Sequence, residues 1–179
     1  MARKFGFLLV GVCLVFSTLG FIGCKDEEES FVVDDHKLNP LLIGTWNSEY
    51  GDTYTINTEA TLIYDSGVGG SAPDSSYEGT VCYDSNFTSD AGVIIIKYTD
   101  APQYGVYDAN YTLTDTLDPA GSFIGIYYKD LTSTSVSMAG AYTMPSGAEK
   151  TTLAAAISAF TAGNAGDYIY SYSTCSKQP

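Results

Sequence analysis

Short runs of alternating apolar and polar residues dominate the chain from about residue 40 onward. In the segment 52–57, Tyr54 and Ile56 fall on one face of an extended chain, while Thr53 and Thr55 fall on the other. A repeat of two residues is the period of a β-strand with one face in a core. Clusters of Gly, Asp, Asn, Ser and Pro separate the runs. The pattern predicts strands at 42–50, 52–57, 60–65, 77–84, 92–99, 103–114, 121–129, 133–142 and 167–174.

One segment late in the chain has helical spacing instead. Leu153, Ile157 and Phe160 recur at intervals of four and three residues, which puts them on one face of a helix. Ser146 and Glu149 fit a capping box, in which two side chains bind free N–H groups at the start of a helix. Gly163 is a residue type that ends helices in the left-handed conformation.

These elements together predict a mainly β fold. We expect an up-and-down antiparallel barrel of about eight strands, with one late helix and a closing C-terminal strand. A meander of short antiparallel strands leaves two exposed edges, and closure into a barrel removes them. The stretch 65–76, rich in Gly and Ser, is predicted to be a mobile loop.

The start of the chain has the pattern of an export signal. Arg3 and Lys4 precede an uncharged apolar run, residues 5–22, which ends at Gly23-Cys24. This ending resembles a lipobox, the site where bacterial lipoproteins are cut before a cysteine that carries diacylglycerol. The acidic residues that follow lack the basic flank expected after a membrane anchor. The alternative is an uncleaved anchor, since the eighteen apolar residues lie near the lower limit for crossing a bilayer.

The lipobox resemblance divides the chain into three parts. Residues 1–23 form a lipoprotein signal peptide, residues 24–38 an acidic flexible tether, and residues 39–179 the barrel domain. A lipidated Cys24 implies that the membrane is a partner, held through acyl chains. The implied location is the cell envelope, at the outer membrane rather than the inner one, on its periplasmic or cell-surface face.

Charge and cysteine content restrict the partners further. From Cys24 onward the chain has six lysines and no arginine against 21 acidic residues, a formal charge of −15. Such a surface repels phosphate backbones, which excludes nucleic acid as a partner. Once Cys24 is acylated, Cys82 and Cys175 remain in an oxidising compartment. They form either one disulfide or two separate buried thiols.

The segment Gly44-Thr45-Trp46, at the start of the first strand, carries a family resemblance. With the strand count and the late helix, it resembles the G-x-W motif of the lipocalins (calycins). The resemblance implies that Trp46 and Gly44 are structural, with Trp46 plugging the closed end of the barrel and the helix packing against its wall. Thr114-Asp115, after the sixth predicted strand, resembles the second motif of that family. The arginine that stacks on the tryptophan in the third motif has no counterpart after Cys24.

Residue types that commonly carry catalysis are scarce. The single histidine, His36, lies in the tether, so a nucleophile in the barrel would lack its usual base. No cysteine pair has the spacing of a zinc site, and no aspartate-rich loop fits calcium. The sequence therefore favours a protein that is not an enzyme, with no catalytic residue, no metal and no cofactor.

Fifteen tyrosines are the unusual feature of the composition. A tyrosine offers an apolar ring and a polar tip, which suits a ligand-lined cavity, although strands favour tyrosine in any case. We expect a small apolar or amphipathic ligand in an internal cavity of about 300–1,000 Å³. The alternative is a surface-exposed interaction or adhesion lipoprotein with a tight core and no small ligand. The candidate ligand contacts are Tyr54, Tyr107, Tyr127 and Tyr170.

Overall fold

Eight antiparallel strands close into a barrel in the computed structural model, which describes residues 38–67, 75–102, 104–107, 113–117, 119–143 and 148–179. The predicted fold class is therefore confirmed. The strands of these residues are β1 (Gly44–Ser48), β2 (Thr53–Ile56), β3 (Thr61–Asp65), β4 (Tyr77–Asn86), β5 (Gly92–Asp100), β6 (Tyr104–Tyr107), β7 (Leu113–Leu117), β8 (Phe123–Lys129), β9 (Ser135–Gly140) and β10 (Ser173–Lys177). The helices are α1 (Leu153–Ala159) and α2 (Ala165–Tyr168), and a 3-10 turn spans Pro40–Leu42.

Around the barrel the strands follow the order β1, β10, β9, β8, β5, β4, β3, β2, and each pairs antiparallel with its neighbours. β6 and β7 form a separate hairpin between β5 and β8. Because neighbouring strands run in opposite directions around the barrel, the 3-10 turn before β1 and the end of β10 lie at the same end of the barrel. We call this the closed end. The open end carries the β1–β2 turn, the β3–β4 connection and the segment with α1 and α2.

The closed end is built around the only tryptophan. Trp46 is fully buried, and its indole N–H donates to the carbonyl oxygen of Leu42 in the 3-10 turn at 2.7 Å. The Nζ of Lys177, at the end of β10, lies 4.9 Å from the centre of a Trp46 ring and donates to the carbonyl oxygen of Leu41 at 3.1 Å. Asp84, buried on β4, accepts from the backbone N–H of Asn39 at 3.1 Å. The entering chain is thus fastened to three different strands.

Side chains fill the lumen. Inward positions on seven of the eight barrel strands carry large apolar groups that expose between 0% and 5% of their surface, and β10 contributes the smaller Cys175. A void wide enough for a ligand would leave its lining accessible to solvent. The expected internal cavity is therefore not found among the described residues. The filling side chains are Trp46, Tyr54, Ile56, Leu62, Val81, Ile94, Ile96, Tyr98, Ile124, Ile126, Tyr128, Val136 and Met138.

The wall made by β5 and β8 is buried on both faces. On β5, Ile94 and Ile96 face the lumen and Val93 and Ile95 face outward, yet all four are fully buried. A continuous apolar run, rather than alternation, is what such a strand requires. The C-terminal helical segment covers the outer face through Phe160, which directly follows α1. The expectation that a late helix packs on the wall is confirmed.

The sixth and last predicted strands differ from the structure. The segment 103–114 was predicted as one strand, but β6 and β7 pair with each other outside the barrel. Residues 108–112, between them, lie outside the described residues. Thr114-Asp115 lies within β7 rather than in a loop. The last strand begins at Ser173 and not at Asp167, because residues 165–168 form α2.

The helix is found, but its predicted ends are wrong. Thr152 is the N-cap, and its Oγ1 accepts from the backbone N–H of Ala155 at 3.2 Å. Glu149 lies before the helix, and Ser146 lies outside the described residues. The helix ends at Ala159 with Phe160 as its C-cap, and Gly163 does not have a positive φ. The apolar face is as predicted, because Leu153, Ile157 and Phe160 all pack on the core.

Cys175 carries a free thiol inside the lumen, so the disulfide between Cys175 and Cys82, one of the two arrangements that the sequence leaves open, is not formed. The two residues lie on opposite walls, because three strands separate β10 from β4 in either direction around the barrel. Cys82 falls where the register between β4 and β5 shifts, between Val81 and Tyr83. None of the helices in the described residues is long and apolar enough to span a membrane.

Candidate functional site

The four tyrosines predicted as ligand contacts do not form one site. Tyr54 faces the lumen and is 5% exposed. Tyr127 is buried on the outer face of β8, where its ring meets that of Phe160 edge-on with centroids 6.4 Å apart. Tyr107 ends β6, outside the barrel. Tyr170 lies beyond α2 and is 99% exposed.

A different set of tyrosines is brought together near the open end. Tyr54, Tyr64, Tyr77 and Tyr98 occupy inward positions of four consecutive strands, β2 to β5. Their ring centroids lie 4.8 Å, 4.8 Å and 5.4 Å apart in that order. We call this set the tyrosine row. The row crosses the lumen near its open end, because the hydroxyl of Tyr77 on β4 reaches towards β9. It would lie 3.8 Å from a Cβ added at Gly140 of β9.

Strand register creates the tyrosine row. Tyr54 pairs with Tyr64, Tyr64 with Tyr77, and Gly79, two residues after Tyr77, pairs with Tyr98. Directly paired residues of antiparallel strands point to the same face, which puts the rings in contact. The sequence signal was the recurrence of tyrosine at inward positions, but the choice among fifteen tyrosines requires the register.

A polar cluster accompanies the row at the opening. The buried carboxylate of Asp52 accepts hydrogen bonds from the hydroxyls of Ser48 and Tyr64. Burial, the charge of Asp52 and this hydrogen bond together raise the pKa of Tyr64 to about 12. Burial also raises the pKa of Tyr54 well above its usual value. Both phenols are therefore neutral donors across the physiological range.

The buried thiol of Cys175 lies near this cluster, below the tyrosine row. Burial is the main cause that raises its pKa to about 12, and the charge of Asp52 adds to the effect. Only the thiolate is a strong nucleophile, so a thiol with this pKa is chemically inert. Cys175 acts as a core residue.

A pocket of about 560 Å³ lies at the open end of the barrel, between the ends of β3, β4 and β5. Its size is that of a small-ligand site. Two tyrosines of the row, Tyr64 and Tyr77, and three acidic residues are among the residues that line it. We call it the mouth pocket; its lining residues are Ile63, Tyr64, Asp65, Ser76, Tyr77, Glu78, Asp100 and Ala101.

A second pocket, of about 600 Å³, lies outside the barrel where β9 ends beside α2. It contains Tyr170, one of the four predicted ligand contacts. We call it the side pocket; its lining residues are Tyr142, Thr143, Gly166, Asp167, Tyr168, Ile169 and Tyr170.

The described residues contain no group of three or more His, Cys, Asp or Glu side chains placed to hold a metal ion. Comparison of the chain with protein-family models, with curated proteins and with solved structures yields no match. The resemblance to lipocalins is therefore limited to the barrel architecture. Any functional assignment depends on the pockets themselves.

Proposed function

We propose that this chain is a lipid-anchored protein of the bacterial cell envelope whose lipocalin-like barrel binds a small amphipathic ligand at its open end. The observation that carries the proposal is the mouth pocket, whose lining includes the two stacked tyrosines Tyr64 and Tyr77 and three acidic residues. Aromatic rings with a few polar groups around them are typical of small-ligand sites. The site lies at the opening rather than in the lumen, because Tyr54 and Tyr98 already occupy the space beneath it.

The rim favours a neutral or cationic polar end on the ligand. Asp65, Glu78 and Asp100 contribute the charge, and Glu78 pairs directly with Asp100 across two strands. Like charges at paired positions destabilise a sheet, so their presence is consistent with a role in binding. An anionic ligand would be repelled by these carboxylates and by a formal net charge of −13 on the whole chain.

The place at which the chain enters the barrel supports an anchored arrangement. The described chain begins at Leu38, next to the closed end, about 14 residues after Cys24. A tether of that length spans at most about 50 Å when fully extended. Lipid on Cys24 would therefore attach the barrel through its closed end, and the mouth pocket is at the opposite end of the barrel.

Native mass spectrometry of the protein purified from its own cells tests the ligand. We expect a retained small molecule, lost in the variant Tyr77→Ala and kept in Tyr170→Ala, which alters only the side pocket. Tyr77→Leu preserves bulk and separates a loss of binding from a loss of folding, which the emission of Trp46 reports. If the wild type retains no small molecule, the alternative of an interaction lipoprotein without a ligand is favoured.

The anchor is tested independently. Cys24→Ala should release the protein into the soluble fraction or leave an unprocessed precursor, and globomycin should block processing of the wild type. An unmodified Cys24 in the mature protein, measured by mass, would contradict the lipoprotein assignment without affecting the mouth pocket.

A further inference from the structure

We propose that the side pocket is a second binding site, for a neutral saccharide. Three tyrosines, an isoleucine, a carboxylate and a hydroxyl line its volume of about 600 Å³. It lies outside the barrel and is lined by no residue of the mouth pocket, so the inference does not depend on the ligand proposed there.

The inner wall of the side pocket is held in place by the fold. The backbone N–H of Tyr142 donates to the carbonyl oxygen of Tyr168 at 2.8 Å, which ties the end of β9 to α2. The Tyr168 ring meets Phe160 edge-on at 5.1 Å, and the Nζ of Lys150 lies 5.3 Å from its centre. A wall fixed in this way requires no ordering when a ligand binds, which favours affinity.

The outer wall consists of rings that face water. Tyr170 is 99% exposed and Tyr142 is 46% exposed. An isolated exposed aromatic residue needs no explanation, but two beside a preformed pocket offer apolar faces at low entropic cost. A pyranose has one face of C–H groups that packs on such a ring and a rim of hydroxyls that needs polar partners. The carboxylate of Asp167 supplies such a partner in the same pocket.

The solvent exposure of the side pocket and its negative charge favour a neutral sugar over an apolar or an anionic ligand. An apolar molecule binds well only when most of its surface leaves water. Tyr170, on the outer wall of the side pocket, is 99% exposed, so this pocket does not enclose such a molecule. A sugar keeps part of its hydroxyl surface hydrated and tolerates an open site. Asp167 and the acidic surface of the chain repel uronic acids and sulfated sugars.

Isothermal titration of the full lipidated chain, in a detergent without a sugar headgroup, tests the inference. The probes are laminarihexaose, maltohexaose and mannohexaose as neutral saccharides and a galacturonic acid hexamer as the anionic one. We expect at least one neutral hexamer to bind and the anionic one not to bind. Tyr170→Ala should weaken the binding at least about tenfold, as the loss of an aromatic anchor does.

Tyr50→Ala is the matched control, because Tyr50 is 77% exposed on the β1–β2 turn and lines neither described pocket. It should leave the affinity unchanged, while Asp167→Asn should reduce it. Failure of all three neutral hexamers to bind, equal binding of the anionic hexamer, or full affinity in Tyr170→Ala would each overturn the proposal. The small molecule retained at the mouth pocket is measured separately, so the two proposals fail independently.

Discussion

At the scale of single residues, the closed end shows how one lysine can take a role that the family resemblance gives to an arginine. Lys177 places its charge over Trp46 and its Nζ on the Leu41 carbonyl. Gly44 has a φ of +137°, and a Cβ there would lie 2.6 Å from the Cε of Lys177. The glycine of Gly44-Thr45-Trp46 is thus required by its backbone conformation, and a side chain there would also displace the end of the Lys177 side chain.

We predict that Lys177→Met lowers the free energy of unfolding by about 1–3 kcal/mol, because a cation–π contact and a hydrogen bond are lost together. Lys177→Arg should stay within about 0.5 kcal/mol of the wild type, since a guanidinium also stacks on indole. Urea denaturation followed by the emission of Trp46, the only tryptophan, measures both variants. Equal stability of Lys177→Met and wild type would contradict this role.

At the scale of elements, the packing of the helical segment on the barrel wall depends on a glycine, which leaves room for a phenylalanine ring. A Cβ at Gly125 of β8 would lie 2.7 Å from the Cγ of Phe160. Phe160 is buried and touches Tyr127 and Tyr168, so it has little room to move. The helix itself was predictable from the spacing of Leu153, Ile157 and Phe160, whereas its partner on the wall depended on the fold.

We predict that Gly125→Ala destabilises the protein by about 1–3 kcal/mol, the usual cost of overpacking. Gly163→Ala is the control, because its nearest neighbour would be 3.9 Å from the new Cβ. Adding Phe160→Leu to Gly125→Ala should recover part of the loss, since the smaller side chain makes room. Urea midpoints of the three variants decide the matter, and equal effects at the two glycines would refute the docking model.

At the scale of the whole molecule, buried neutral acids link barrel stability to alkaline pH. The pKa of Tyr64 is about 12 in the fold against 10.0 for free tyrosine, and that of Cys175 is about 12 against 9.0. The folded state therefore holds protons that the unfolded chain releases. The contribution of these two neutral groups to the free energy of unfolding is complete below their pKa values in the unfolded chain. It is lost as the pH rises towards 12.

We predict that the urea midpoint falls steeply between pH 10 and pH 12, and that phenolate absorbance of the buried tyrosines appears together with unfolding. Tyr64→Phe should flatten this fall, although it costs about 1 kcal/mol at neutral pH through the lost hydrogen bond. Tyr170→Phe, at an exposed site, should leave the slope unchanged. A midpoint independent of pH in this range would contradict the burial of these phenols.

The sequence by itself determined the local features: the strands with alternating faces, the helix with its apolar face, the mainly β class and the acidic surface. These depend on residues a few positions apart, so periodicity reveals them. The tertiary structure alone decided which tyrosines meet, that β6 and β7 leave the barrel, that Cys175 lies opposite Cys82, and that Lys177 covers Trp46. Each of those depends on pairing between strands distant in sequence, and a register shift such as the one between Val81 and Tyr83 changes which side chains share a face. No local pattern in the chain encodes that register.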